Sequence, residues 1–465
     1  MKYLNIVFCA LVLSLSACSS GTDTDNSGVA GTSSDSTADS SSTESSVDGA
    51  DGSTVVSSPP TVSGSADASD SPAESLGESA DVMVTEPAPG PGPEENFQAG
   101  SLTAGEYDDH LNAELYQEYA SNYLQTSTGT EHEPYIDLAH RVTLKITDVN
   151  DKPYAAANIK LMVGDSTLLE LITPANGISH IYPALDSLPD EFQLKVSDRY
   201  SDIQVERTVS VADLGEERTI EIALTTGNQP ATELDLLLVI DTTGSMGDEL
   251  NYLKTELTSI LDNIQQENQA VNIRTGLVVY RDVGDQYVVK SHGFTDDISS
   301  LQSSLNAESY NGGGDYPEAM DQALAEAMYF EWRQQSSRVL LLIADAPPHA
   351  SEVMSTWESA IEARTRQIHI VPVAASGVAS EAEYLMRAMA VLTNSRYLFL
   401  TDDSGYGNSH EEPTIKCYVV TRLDSMISRV VDNLLTGKRT EPVNEEIIRR
   451  VGSYDHGVCM PDEQQ

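Results

Sequence analysis

Hydrophobic positions in this chain follow two rhythms. Between residues 135 and 226 they alternate with polar ones. Val142, Leu144 and Ile146 interleave with Thr143, Lys145 and Thr147, and the period of two returns at Ile159-Leu161-Val163, Phe192-Leu194-Val196 and Ile220-Ile222-Leu224. Such alternation predicts strands with one packed and one wet face. From Glu233 onward the pattern changes. Leu234 to Ile240 is an almost unbroken apolar run, as a strand covered on both faces requires. Helical spacing follows at Leu250, Leu253, Leu257 and Leu261. Further strands are predicted over Ile273–Tyr280, Val339–Ile343, Ile368–Val373 and Tyr397–Leu400. Helices are predicted from Pro317, over Ser351–Arg366, Glu381–Leu392 and Lys416–Leu435. Alternating strands and helices over residues 233–437 predict a doubly wound, Rossmann-like α/β sheet with helices on both faces.

About seven short strands parted by turns, such as Asp148-Val149-Asn150-Asp151-Lys152-Pro153, predict an immunoglobulin-like β-sandwich over 135–226. Ahead of it, 101–134 reads as a lead-in segment. It is acidic, carries Tyr107, Tyr116, Tyr119 and Tyr123, and has helical spacing from Asp109 to Leu124. Residues 18–100 are Ser, Thr, Asp, Gly and Pro with few large apolar side chains, a composition that cannot bury enough surface to offset chain entropy. They are expected to form a disordered, acidic stalk. Residues 438–465 read as a C-terminal tail.

The formal charge is −47, and no Lys or Arg lies between Tyr3 and His140, a stretch holding 23 acidic residues from Ser19 on. A surface of this sign repels phosphate, so nucleic acid is not an expected partner. Lys2 followed by the apolar Ile6–Leu15 reads as an export signal, too short to span a bilayer. It ends in Leu15-Ser16-Ala17-Cys18, which resembles the lipobox of bacterial lipoproteins. The resemblance implies a signal peptide over 1–17, lipid on Cys18, and, with Ser19 following, an outer-membrane location. The membrane contact expected is through that lipid alone. Cys9 would leave with the signal, so Cys417 and Cys459 remain for a disulfide between the tail and the last helix.

The first strand of the α/β region ends in Asp241-Thr242-Thr243-Gly244-Ser245-Met246. With its apolar lead, this resembles the opening strand and D-x-S-x-S motif of von Willebrand factor type A domains. The resemblance covers 233–437 and implies a metal-ion-dependent adhesion site. Asp241 would hold a divalent cation, directly or through water. Thr243 and Ser245 would offer hydroxyl oxygens, and Asp345, in Ile343-Ala344-Asp345-Ala346, would be the late aspartate. Hard oxygen donors suit Mg²⁺, Ca²⁺ or Mn²⁺.

One position departs. The loop reads Asn311-Gly312-Gly313-Gly314-Asp315-Tyr316-Pro317-Glu318, placing Gly314 where the family usually has threonine. Asp315 is expected to replace that threonine, with Glu318 nearby at a helix N-terminus. Arg281 and Asp282 are expected to pair with each other, and His349 and His369 to be packed. No H-E-x-x-H, C-x-x-C, P-loop or G-x-S-x-G motif is present, and Thr243 stands where the last would need its first glycine. The expectation is therefore a non-enzymatic module at the cell envelope that binds a protein or matrix ligand through its cation. A scaffold lipoprotein with a structural or inactive metal site is the alternative, and a hydrolase using Asp345 and His349 a distant third.

Overall fold

The computed structural model describes residues 101–126, 133–405 and 413–460. The expected signal peptide, stalk and Cys18 lie outside the described residues. In chain order the elements are β1 (Thr103–Tyr107), α1 (Ala113–Thr126), β2 (Val142–Thr147), β3 (Asn158–Val163), β4 (Ser166–Ile172), β5 (Ile178–Ile181), β6 (Glu191–Ser197), β7 (Gln204–Ser210) and β8 (Thr219–Ala223). They continue as β9 (Glu233–Asp241), α2 (Gly247–Glu267), β10 (Asn272–Tyr280), β11 (Val289–Thr295), α3 (Ile298–Ala307), α4 (Met320–Tyr329) and β12 (Ser337–Ala344). Last come α5 (Val353–Thr365), β13 (Ile368–Ala374), α6 (Ser380–Leu392), β14 (Tyr397–Thr401), β15 (Tyr418–Arg422), α7 (Leu423–Thr436), β16 (Arg449–Val451), β17 (Tyr454–Asp455) and β18 (Val458–Cys459).

β9 shows why a continuous apolar run is needed. Its period of two sends Leu236, Leu238 and Ile240 into one hydrophobic core and Leu237 and Val239 into the other, on opposite faces of one sheet. The first core also takes in residues of α2, α3 and α7, and the second residues of α1, α4, α5 and α6. The sheet order is β11-β10-β9-β12-β13-β14-β1-β15-β16. β10, β9, β12, β13 and β14 are parallel neighbours, so their carboxyl ends reach one edge.

Three elements differ from expectation. Thr103–Tyr107, read as part of a lead-in, is a strand buried at every position, inserted antiparallel between β14 and β15. Its Glu106 meets Arg396 at 2.8 Å and also pairs with Arg429. Asp109, beyond its end, takes Arg387 at 2.7 Å. Buried charges need such partners. The stretch read as a helix from Lys416 begins instead as β15, because its β-branched Val420 and Thr421 pair with β1 and Val419 with β16, and α7 starts only at Leu423. The helix expected from Pro317 starts at Met320, because Glu318 is held extended by a bridge to Pro348. β11 and α3 go beyond the expected elements, although α3 carries a signal of its own in the Asp297 cap and the buried Leu301 and Leu305 at helical spacing.

Strands β2–β8 form a three-stranded sheet, β5-β2-β8, and a four-stranded sheet, β4-β3-β6-β7, around one hydrophobic core. This body is fastened to the α/β body. Asp186 accepts from Arg364 at 2.7 Å, and the Tyr182 hydroxyl donates to the Val391 carbonyl at 3.2 Å. Cys417 and Cys459 form a disulfide with Cα atoms 5.5 Å apart. Cys417 sits before β15, so the staple joins the tail to the sheet rather than to a helix. Among the described residues no helix is long and apolar enough to cross a membrane.

Candidate metal centre

The carboxyl ends of β9, β10 and β12 lie side by side, with Asp241 opposite Tyr280 and Ile240 opposite Ile343. The chain turns sharply after each strand, and these turns form the rim. Asp241 is fully buried at the end of β9. Its Oδ1 accepts from the Thr243 amide at 2.8 Å and from the Thr243 hydroxyl at 2.7 Å. A single turn of 3₁₀ helix, Gly244–Met246, then brings the exposed Ser245 hydroxyl to 3.3 Å from Thr243 Oγ1. The two hydroxyls and the carboxylate thus converge as the sequence motif implied.

The other oxygen of Asp241, Oδ2, is buried without a hydrogen bond of good geometry, although the Tyr280 hydroxyl lies against the carboxylate. Burial, followed by the charge of Asp345, pushes the Asp241 carboxyl above the usual carboxylate range. Asp345 is itself buried just beyond β12. A third acid joins them. Glu318 is buried with Oε2 unpartnered, and burial together with Asp241, Asp282, Asp345 and Asp285 pushes it up to about 9.

β9 contains its own control. Asp235, near the other end of the strand, is also fully buried. It accepts from Arg274 at 3.0 and 2.9 Å, from the Arg333 side chain at 2.8 Å and from Ser336 at 3.0 Å. Although burial opposes ionisation, these donors hold Asp235 below the usual carboxylate range. The strand therefore carries one neutralised and one unneutralised aspartate.

The glycine loop explains how Glu318 arrives. Gly312 and Gly313 have φ of +85° and +69°, conformations that side chains rarely tolerate. A Cβ on Gly313 would lie 2.8 Å from Glu318 Oε1 and 3.4 Å from the Thr243 Cβ, so the loop passes directly over both. Asp285 Oδ2 accepts from the Gly313 amide at 2.9 Å, and the Gly312 carbonyl accepts from the Gly244 amide at 3.2 Å. Gly314 and Asp315 follow on the exposed side, where the Asp315 charge acts on His349. The acid turned toward Asp241 is therefore Glu318 rather than Asp315. Glu318 also precedes its helix instead of lying in its first turn, and its amide donates to the Pro347 carbonyl at 2.9 Å.

Arg281 and Asp282 do not pair with each other. Arg281 donates to the Ser309 carbonyl and stacks over the Tyr287 ring, 4.4 Å from its centroid. Asp282 meets His349 Nε2 at 2.7 Å, and this hydrogen bond raises the histidine. His369 is buried, with Nδ1 2.8 Å from the Thr393 carbonyl. The roles of Glu318, Asp285 and His349 were not legible, since nothing in their spacing fixes the path of a glycine loop.

Among the described residues no three His, Cys, Asp or Glu side chains form a metal-holding group on their own. A cation here would need the hydroxyls. The donor set fits one: Thr243 and Ser245 supply neutral oxygens, Asp241 a buried unsatisfied oxygen, and Asp345 and Glu318 carboxyls that a cation would hold ionised beside it.

Residues 235–407 match the family model for the von Willebrand factor A domain. The chain carries a von Willebrand factor A (VWA) domain. Sequence relatives include a putative ariadne-like RING finger protein of Acanthamoeba polyphaga mimivirus, 34% identical over 116 residues. Another is the alpha-protein kinase vwkA of Dictyostelium discoideum, 30% identical over 150 residues. The matches cover 25% and 31% of this chain but span only 11% and 23% of those proteins. Among solved structures, the pilus adhesin SpaC of Lactobacillus rhamnosus GG aligns at 12% identity and a TM-score of 0.31, over 63% of this chain and 35% of that one. Proximal thread matrix protein 1 of the mussel byssus, with a zinc-occupied MIDAS motif, aligns at 14% and 0.26, over 39% of this chain and 55% of its own.

Proposed function

We propose that the VWA domain is a divalent-cation-dependent binding module that engages a protein or matrix ligand through its rim and catalyses no reaction. One observation carries this reading: of two fully buried aspartates on β9, Asp235 is neutralised by two arginines and Asp241 has no protein cation against it. A Mg²⁺, Ca²⁺ or Mn²⁺ ion held by Asp241, Thr243 and Ser245, with Asp345 and Glu318 beside it, supplies the missing charge. Bound there, the ion offers a partner's carboxylate an electropositive point on an otherwise acidic surface. The extra acid Glu318 strengthens cation binding, favours Ca²⁺ and weakens the ion's pull on a partner's carboxylate.

Calorimetric titration of Ca²⁺ and Mg²⁺ into the full chain and its Asp241→Ala variant tests the reading. Saturable binding in the parent, lost in the variant, is expected. Equal binding by both, or none by the parent, would overturn it and leave the scaffold alternative.

The module is further proposed to be exported and lipid-anchored through Cys18 at a bacterial outer membrane. The Lys2 and Ile6–Leu15 leader supports this, as does the Cys417–Cys459 disulfide, a bond that persists in oxidising compartments. Cys18→Ser is expected to move the protein from the membrane fraction to the soluble one. Unchanged fractionation would contradict the anchor.

A further inference from the structure

The loops that carry Asp345 and Glu318 have a second face. Tyr316, Pro317, Pro347 and Pro348 line a cavity of about 310 Å³ together with Tyr123 of α1 and Tyr384 of α6. The cavity is joined to the rim by Tyr316, whose hydroxyl lies 3.1 Å from the Asp345 carbonyl and accepts from the Ala379 amide at 2.7 Å. Glu318, on the rim side, pairs with Pro348 on the cavity side.

The walls combine two properties. Proline rings and the stacked Tyr123–Tyr384 pair, with centroids 4.2 Å apart, make them largely apolar and aromatic. The charged lining groups are Glu133 and Glu381; no Lys, Arg or His is among the described residues that line the cavity. Glu133 Oε1 accepts from the Tyr123 hydroxyl at 3.1 Å, while its Oε2 is buried without a hydrogen-bond partner. An anionic occupant would be repelled by both glutamates. A purely aliphatic one would leave the Glu133 oxygen buried and unsatisfied. A lysine or arginine side chain meets both demands. Its stem packs on proline, and its head lies near tyrosine rings and donates to carboxylate.

We propose that this cavity is a subsite for a lysine or arginine side chain of a protein partner, beside the acidic group that the same partner presents to the rim cation. The second half of this statement rests on the function proposed above; the cavity does not. The formal charge of −47 adds long-range attraction for a basic partner.

The probes are Nα-acetyl-lysine methylamide and Nα-acetyl-arginine methylamide, with the norleucine methylamide as uncharged control. Each is titrated into the full chain by ligand-observed NMR, in chelator and in Ca²⁺. Saturable binding of the basic probes is expected in both conditions, with norleucine weaker by roughly tenfold, the scale of one charge-assisted hydrogen bond. Glu133→Gln is expected to weaken the basic probes by a similar factor. Ala350→Trp, placed at an exposed lining position, blocks the cavity without disturbing the core. Norleucine binding as well as lysine, or basic-probe affinity unchanged in both variants, would overturn the subsite, as would the absence of saturation. Probe binding that persists in a protein with no metal affinity upholds the cavity while removing the metal reading. Metal binding without probe binding does the reverse.

Discussion

Asp235 and Asp241 have the same burial on the same strand, yet their substitutions should act in opposite directions. Asp235→Asn leaves Arg274 and Arg333 short of their counter-charge and should cost about 3 kcal/mol of stability. Asp241→Asn, measured in chelator, removes a buried charge repelled by Asp345, and should leave the protein as stable as the parent or more so. Thermal denaturation of both variants in EDTA checks the pair; a comparable loss at both sites would show that Asp241 is a structural anchor. The motif residues Asp241, Thr243, Ser245 and Asp345 could be named from sequence because they directly end or follow strands whose apolar runs are unmistakable. Glu318 and Asp315 could not be told apart, because two positive-φ glycines redirect the loop between them and the motif.

At the scale of elements, legibility tracks how locally each one is determined. β9 and β12 are hydrophobic throughout and declare themselves. β1 is Thr-Ala-Gly-Glu-Tyr, a loop-like sequence whose burial depends on arginines nearly 300 residues away. The same long-range logic governs the junction of β1, β5 and α6. There His110 stacks on His180 with centroids 4.5 Å apart, and its Nε2 faces the Val391 carbonyl at 2.9 Å. Arg141 and Arg364 lie close by, and Asp108 acts in opposition on His110. Burial, the first cause, lowers His110 from 6.5 to about 4, and lowers His180 as well. A histidine depressed in the folded state contributes stability above its unfolded pKa, lost as pH falls from about 6.5 through 4. Glu106, held near 2 by its arginines despite burial, loses its contribution only below about 4.5. Between pH 6.5 and 4.5, in chelator, the histidines therefore lower urea unfolding midpoints while the raised Asp241 and Glu318 carboxyls act the other way, so His180→Gln midpoints should rise relative to the parent's as pH falls. An identical slope in the variant would assign the effect elsewhere.

Taken whole, the described chain joins a VWA domain to a seven-strand body through the Asp186–Arg364 pair and the Tyr182–Val391 hydrogen bond, with the Asp241 rim at the carboxyl edge of the large sheet. The account stands or falls on whether that rim takes a cation where Asp241 lacks one. Crystals of the full chain grown with Mn²⁺ and measured for anomalous scattering would locate it directly. The account predicts a peak at the Thr243 and Ser245 hydroxyls, on the side of Asp241 and Asp345, at an oxygen-donor distance of about 2.0–2.6 Å. A rim without a peak, or Mn²⁺ bound only elsewhere, would contradict it.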